Sequence, residues 1–334
     1  MPSTQDLPSD DTVLHRISIV IPVYRGEITL PALIQEFVPM LNEQVTPDGN
    51  RFVIGEVLLV HDCGPDRSDR TLEMLDTQYA FIRPVWLSRN FGQHAATLAG
   101  MASATGNWVV TMDEDGQQNP ADIGLMLDSA LMSSAQLVYA RPINRPPHSW
   151  LRNALSRITK YLTTKLLGNK QIGQFNSFRL VDGEIARTLA AYCGSGIYLD
   201  MGLFWIVSRI GHCPLRLRDE MDRPSGYSYL KLLEHFWRLL FTSGTRPLRL
   251  ITLLGFVCVV LAVVIAGYAL YEKLVGDVPV QGWASLSIVV AFFSGCILTA
   301  LGVIAEYLAV TMGIVMGKPL YVVVTKPTRS IASQ

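Results

Sequence analysis

The sequence predicts an α/β protein with a mainly parallel sheet, joined to a C-terminal pair of membrane-spanning helices. Three observations predict this. Apolar β-rich runs alternate with helically spaced segments from Ile17 to Ala140. Hydrophobic residues make up 49% of the 334-residue chain, and the excess over soluble norms lies in its last quarter. The run Val109-Val110-Thr111-Met112 ends abruptly in Asp113-Glu114-Asp115, which puts carboxylates at the C-terminal end of a strand, where sheets of this class bind ligands.

The elements follow in order. Ile17–Tyr24 is a strand containing Pro22, and Leu30, Leu33, Ile34, Phe37 and Leu41 give the next segment helical spacing. Val57–Val60 and a helix near Asp69–Leu75 repeat the pattern, as do Val85–Leu87 and a helix near His94–Ala104. Strand Trp108–Met112, a helix over about 121–132 and strand Leu137–Ala140 complete the alternation. Arg145-Pro146-Pro147 then breaks it. The segment 149–167 resumes helical spacing with Arg152, Arg157, Lys160 and Lys165 among its polar positions. Such a helix fits either an anionic membrane surface or an ordinary domain surface. Residues 229–247, rich in Leu, Phe and Trp, form a second amphipathic candidate leading into the membrane part.

Two apolar segments, about 248–271 and 283–306, are each long enough to cross a hydrocarbon core of about 30 Å at about 1.5 Å per residue. Arg238, Arg246 and Arg249 precede the first, and Lys318, Lys326 and Arg329 follow the second, so the excess of positive charge puts both chain ends in the cytoplasm. The expected organisation is a flexible N-terminus (1–15), a cytosolic domain (16–228), the juxtamembrane helix, a hairpin within 248–310 and a cytosolic tail (311–334), multi-pass in a bacterial-type inner or plasma membrane. Met1–Asp11 is polar and acidic, so no cleavable signal peptide is expected. Lys+Arg equals Asp+Glu, at 28 each, which gives no reason to expect a nucleic-acid partner. Five cysteines without CxxC spacing read as reduced thiols.

Asp113 and Asp115 are hard oxygen ligands two residues apart, suited to a divalent cation that keeps waters and shares a diphosphate; the plain alternative is a solvated acidic turn. Strand ends at Pro22-Val23-Tyr24, Asp62 and Ser88-Arg89-Asn90 share that edge, which can hold a nucleotide. His94 has no second histidine at ligand spacing, and Cys63 has no Cys-His-acid arrangement, so neither reads as a metal ligand or nucleophile.

Val20–Tyr24, Arg89-Asn90-Phe91-Gly92-Gln93-His94, Ala99-Gly100-Met101, Thr105-Gly106, Asp113–Gln117 and Pro247-Leu248-Arg249 together resemble inverting family-2 glycosyltransferases of the dolichyl-phosphate-mannose synthase type. Within them the chain is similar to bacterial polyprenyl-phosphate glycosyltransferases with two C-terminal spans. The resemblance implies a Rossmann-like, nucleotide-sugar-binding glycosyltransferase A fold. It also implies a nucleotide-diphosphate sugar donor, a polyprenyl phosphate acceptor, contact with membrane lipids, Mg2+ or Mn2+, and a hairpin able to support a homo-oligomer. By position it assigns Asp113, Asp115 and Gln117 to metal and diphosphate, Asp62 and Asn90 to the nucleotide, and Pro22 and Tyr24 to base and ribose. Arg141 is assigned to a phosphate near the donor. Arg223 is assigned to the acceptor phosphate, with Arg216 and Arg218 as competitors. Asp115, Arg141 and Arg223 form the expected catalytic set.

The chain departs from the family pattern at His61-Asp62-Cys63-Gly64, where relatives carry Asp-Asp-Gly-Ser, at Gln174, where they carry an aspartate, and at Gly226, where they carry a lysine. A glutamine is no general base. A lipid monophosphate, with a second pKa of about 6, is already anionic near neutral pH and needs none. A processive polysaccharide synthase would bring more spans and a Gln-x-x-Arg-Trp motif, absent here. A non-catalytic nucleotide-sugar sensor or membrane scaffold is the competing reading from another class.

Overall fold

The structure is a computed structural model, and it describes residues 13–144, 175–194, 198–218, a broken set of positions between 255 and 271, and 282–325. The expected amphipathic helices at 149–167 and 229–247, together with Gln174, Arg223 and Gly226, lie outside the described residues.

β1 (Leu14–Val23) and β3 (Arg51–His61) are long apolar strands whose central residues are buried on both faces, the pattern of a parallel sheet covered on both sides. The sheet continues through β4 (Ile82–Leu87), β5 (Trp108–Thr111), β6 (Leu137–Pro142), β7 (Arg179–Asp182), β8 (Ile210–Leu215) and β9 (Val323–Val324), with β2 (Gln44–Val45) paired to β3. Its order is β8-β6-β7-β5-β1-β3-β4-β9. β5, β1, β3 and β4 run parallel to one another, and β8 runs parallel to β6. β2, β7 and β9 are antiparallel insertions. The chain moves outward from β1 to β3 and β4, then returns to place β5 on the other side of β1, so the strand order reverses between β1 and β5. That reversal opens a crevice at the C-terminal ends of the strands.

One face is covered by α1 (Leu30–Phe37), α2 (Ser68–Gln78) and α4 (Ile123–Ser133), whose Leu30, Ile34, Phe37, Leu72, Leu75, Met126 and Leu127 pack into a single core with Ile19, Ile21 and Val57. The other carries α3 (Gln93–Ser103), α5 (Gly183–Tyr192) and α6 (Leu199–Ile206) over Val20, Leu58 and Val60. Helix α3 lies unusually close to the sheet. A Cβ at Gly100 would stand 2.3 Å from Val20 Cγ1, so only glycine fits there. Helix α5 begins at Asp182, whose carboxylate accepts the Glu184 and Ile185 N–H groups at 2.9 and 3.1 Å, a cap worth about 1 kcal/mol.

Helix α7 (Trp283–Val315) contains the one stretch among the described residues long and apolar enough to cross a membrane, Phe292–Val315. It runs past the expected end at Glu306, because the first terminating geometry is Gly317 at φ +63°, followed by Lys318-Pro319. The described part of the first expected span is a shorter apolar helix, Gly255–Ile265, so a second crossing does not emerge from the described residues. The expected C-terminal tail spans 311–334. Its described part returns to the sheet as β9, where it satisfies the edge of β4.

Candidate active site

Asp113 follows β5 at the switch point and is held on all sides. Its Oδ1 accepts Gln93 Nε2 at 2.6 Å, and its Oδ2 accepts Gln118 Nε2 at 2.9 Å and the Ser177 hydroxyl at 2.5 Å. Its N–H donates to Gln118 Oε1 at 2.9 Å. Burial lifts the Asp113 carboxyl above its ordinary value; the Ser177 hydroxyl opposes the rise and the neighbouring Asp115 carboxylate adds to it. Asp115 caps its own turn, accepting the Gln117 N–H at 3.0 Å, and Gly116 sits at φ +74° to make that turn.

Glu114, between the two aspartates, faces β1: its carboxylate oxygens accept the Tyr24 and Arg25 N–H groups at 3.0 and 2.9 Å. The acidic turn and the loop after β1 are therefore one unit. Gly64, just after β3, packs directly on the Tyr24 backbone, where a Cβ would meet Tyr24 O at 1.5 Å. Tyr24 is 41% exposed at the crevice edge, and Pro22 lies within β1 opposite Val60.

Asp62 is buried, and its two oxygens accept the Phe91 and Gly92 N–H groups at 2.7 and 2.9 Å. Burial raises its carboxyl and those two bonds pull it back. This residue clamps the β4–α3 loop, which contains Asn90. Cys63 adopts φ +49°, the conformation for which a glycine is expected at this position, and its thiol donates to Leu87 O at 3.1 Å. His61 is buried against Trp86, their ring centroids 5.2 Å apart, and neither ring nitrogen has a hydrogen-bond partner among the described residues. His94 packs its ring 4.2 Å from that of Tyr198.

On the other side of β5, the buried Arg179 Nη1 meets Asp200 Oδ1 at 2.6 Å, and the Tyr139 hydroxyl donates to the same oxygen at 2.8 Å. This pair fixes the start of β7 beside Thr111 and so the placement of Ser177, whose carbonyl accepts the Thr111 hydroxyl at 2.6 Å. Arg141 is exposed near the end of β6. Arg218 forms a bidentate pair with Glu36 at 2.7 and 2.7 Å and also reaches Asn119, so its guanidinium is committed to the protein.

The structure thus brings Pro22, Tyr24, Asp62, Asn90, Asp113, Asp115 and Gln117 to one edge of the sheet. Two glutamine side chains bond Asp113, those of Gln93 and Gln118, the latter rather than its neighbour Gln117. Gln93, Glu114, Gln118 and Ser177 are the further residues at this edge that sequence reasoning missed. Gln93 and Glu114 lay inside the quoted motifs; Ser177 was invisible, because only the antiparallel pairing of β7 carries it to Asp113.

No group of three or more His, Cys, Asp or Glu converges as a self-sufficient metal cage among the described residues. Two carboxylates with a free share of water and phosphate oxygens are nevertheless the donor set that Mg2+ or Mn2+ uses. The burial and like-charge penalty on Asp113 is what a bound dication would relieve.

An open, mostly parallel sheet with an acidic turn at its switch point defines the class of α/β proteins that bind a ligand in the crevice beyond the strand ends. The particular family follows from comparison with known proteins. Residues 18–189 match the model for glycosyl transferase family 2, more than half of the chain, and the chain belongs to that family. It is 29% identical to an uncharacterized glycosyltransferase of Synechocystis sp., over 92% of this chain and 94% of that protein. It is 26% identical to the undecaprenyl-phosphate 4-deoxy-4-formamido-L-arabinose transferase of Proteus mirabilis, over 95% and 97%. It is 21% identical to the prophage bactoprenol glucosyl transferase homolog of Escherichia coli, over 92% and 98%.

Proposed function

We propose that this protein transfers a sugar, with inversion, from a nucleotide-diphosphate sugar to a polyprenyl phosphate at the cytoplasmic face of a membrane. The observation that carries the reading is the Asp113–Asp115 turn, anchored at the switch point of a family-2 fold by Gln93, Gln118 and Ser177. Named relatives that align over nearly the whole chain act on undecaprenyl phosphate or bactoprenol, which supports the acceptor class.

Asp113 and Asp115 would hold the divalent cation, which when bound supplies charge neutralisation for the departing nucleoside diphosphate. The protein's own part is positioning. Glu114 fixes the backbone of Tyr24 and Arg25 on the base and ribose side, Asp62 fixes the loop bearing Asn90, and Gln118 and Ser177 keep the Asp113 carboxylate from turning. Arg141 and Arg223 are assigned to phosphates through charge-assisted contacts. A lipid phosphate is already an anionic nucleophile at neutral pH, so attack at the anomeric carbon needs no protein base. The apolar α7 would anchor the domain at a membrane, placing a water-soluble donor beside a lipid acceptor.

The test is transfer from a panel of labelled UDP- and GDP-sugars to polyprenyl phosphate in detergent, with Mn2+, Mg2+ or chelator. One donor is expected to give an acid-labile lipid-linked product. Asp115→Asn is expected to lower its rate by on the order of a hundredfold or more. Nucleotide binding without transfer from any donor would favour a sensor or scaffold instead.

A further inference from the structure

We propose that the C-terminal strand β9, delivered by α7, is a positioning element of the donor crevice, beyond its evident role of covering a sheet edge. This inference rests on the donor reading above. β9 pairs antiparallel to β4, with Trp86 opposite Val324 and Leu87 opposite Val323, and the Ser88 N–H donates to Val322 O at 3.0 Å. Leu320 and Tyr321 pack against the core beneath α3. The strand is therefore seated by backbone and side chains together.

The segment it grips leads straight into the site. Leu87 O accepts the Cys63 thiol, Ser88 is bonded to Val322, Phe91 and Gly92 are bonded to Asp62, and Gln93 is bonded to Asp113. Arg89 lays its guanidinium 4.1 Å from the Phe91 ring centroid within the same loop. Most of these bonds come from residues just past the ends of β3 and β5, Asp62, Cys63 and Asp113. Among the described residues, Val322, which follows the membrane-type helix, adds a bond from outside that group. A shift of β9 would move Ser88 and, five residues on, the Gln93 amide that orients the Asp113 carboxylate.

The direction of β9 adds a second consequence. Its N-terminal end lies at the C-terminal edge of β4, so the chain arriving from α7 approaches from the crevice side. Only Met316–Val322 separate the end of α7 from that edge, a reach of at most about 25 Å for a fully extended chain. The strand thus holds the donor crevice close to the end of the apolar helix, on the side from which a lipid phosphate would come.

The experiment uses the full chain in detergent. Val324→Pro removes an N–H from the edge pairing and adds a ring to it, whereas Val324→Ala keeps the backbone. A chain ending at Lys318 serves as a second disruption should the proline variant fail to fold. Hydrogen exchange over residues 86–92, binding of UDP and GDP with Mn2+ by calorimetry, and separate KM values for donor and acceptor are read.

The expected result is faster exchange at 86–92 and a donor KM and nucleotide Kd raised about tenfold, with acceptor KM unmoved and Val324→Ala near wild type. Faster exchange with unchanged donor KM and nucleotide Kd would overturn the proposal and leave β9 as an edge cover. Unchanged exchange in both disrupted chains would overturn it by showing that the strand is not seated. If the wild type transfers no sugar, the catalytic reading fails, while exchange and nucleotide binding still decide the role of β9.

Discussion

At the scale of single residues, two departures from the family pattern, Cys63 and His61, have physical explanations. Cys63 replaces an expected glycine and still adopts φ +49°, with its thiol bonded to Leu87 O as compensation. His61 replaces an expected aspartate and is buried, and burial lowers its pKa, with Asp69 and Asp66 opposing. The unfolded chain therefore takes up this proton at higher pH than the folded chain. Stability from neutral His61 is complete above about pH 6.5, the ordinary histidine value, and falls as pH drops from there toward the lower folded value. His61→Phe, which keeps a ring against Trp86, is expected to flatten the fall in melting temperature between pH 7.5 and 5.5. An unchanged slope would show that other groups carry it. The carboxylates of the site were legible because two hard ligands at fixed spacing after an apolar strand leave few readings. Their supports were less so: nothing in the sequence distinguishes Gln118 from Gln117 until the turn at Gly116 aims one of them at Asp113.

At the scale of elements, the parallel strands and their helices were legible because each combines apolar burial with a clear period. β7 and β9 were not, since Arg179–Asp182 and Val323–Val324 are too short to carry a pattern and owe their existence to partners. The long strand β3 illustrates the opposite case, a polar residue in an apolar run that looks like an error until its partners are found. Glu56 is buried, and its carboxylate accepts the Ser18 hydroxyl, the Thr105 hydroxyl and the Thr105 N–H, each at 2.7 Å, besides pairing with Arg83. Burial alone would raise its carboxyl; the bonds from Ser18, Thr105 and Arg83 hold it below the ordinary value. Its contribution is thus present above about pH 4.5, the ordinary glutamate value, and lost as pH falls through the folded value. Glu56→Gln, which turns an acceptor toward donors into a donor, is expected to cost about 1–3 kcal/mol in denaturant unfolding. Because the network ties β1 and β3 to the loop before β5, away from the crevice, donor KM is expected to stay at the wild-type value. A change in KM without loss of stability would contradict that division of roles.

At the scale of the whole molecule, the open question is how a soluble crevice is coupled to its apolar anchor. Helix α7 exposes Leu286, Phe292, Leu298, Leu301, Ile304, Leu308 and Val315, an apolar surface that a water-facing helix would not keep. Among the described residues, the two apolar stretches meet where Cys258 Sγ and Cys296 Sγ lie 3.8 Å apart. Cys258 stands about as far before the expected turn at 271–282 as Cys296 stands after it, which is the register of an antiparallel hairpin crossing at equal depth. Two thiols this close need only a small approach to reach the bond length of about 2.05 Å. Mild oxidation of the otherwise native protein in lipid nanodiscs, with Cys63, Cys193 and Cys213 changed to Ser, is therefore expected to link Cys258 to Cys296 within one chain, read as a joined peptide after digestion. Joining between differently labelled chains would place this contact at an oligomer interface. No joining at all would mean that the two stretches do not pack as a hairpin, and the anchor would then rest on α7 alone.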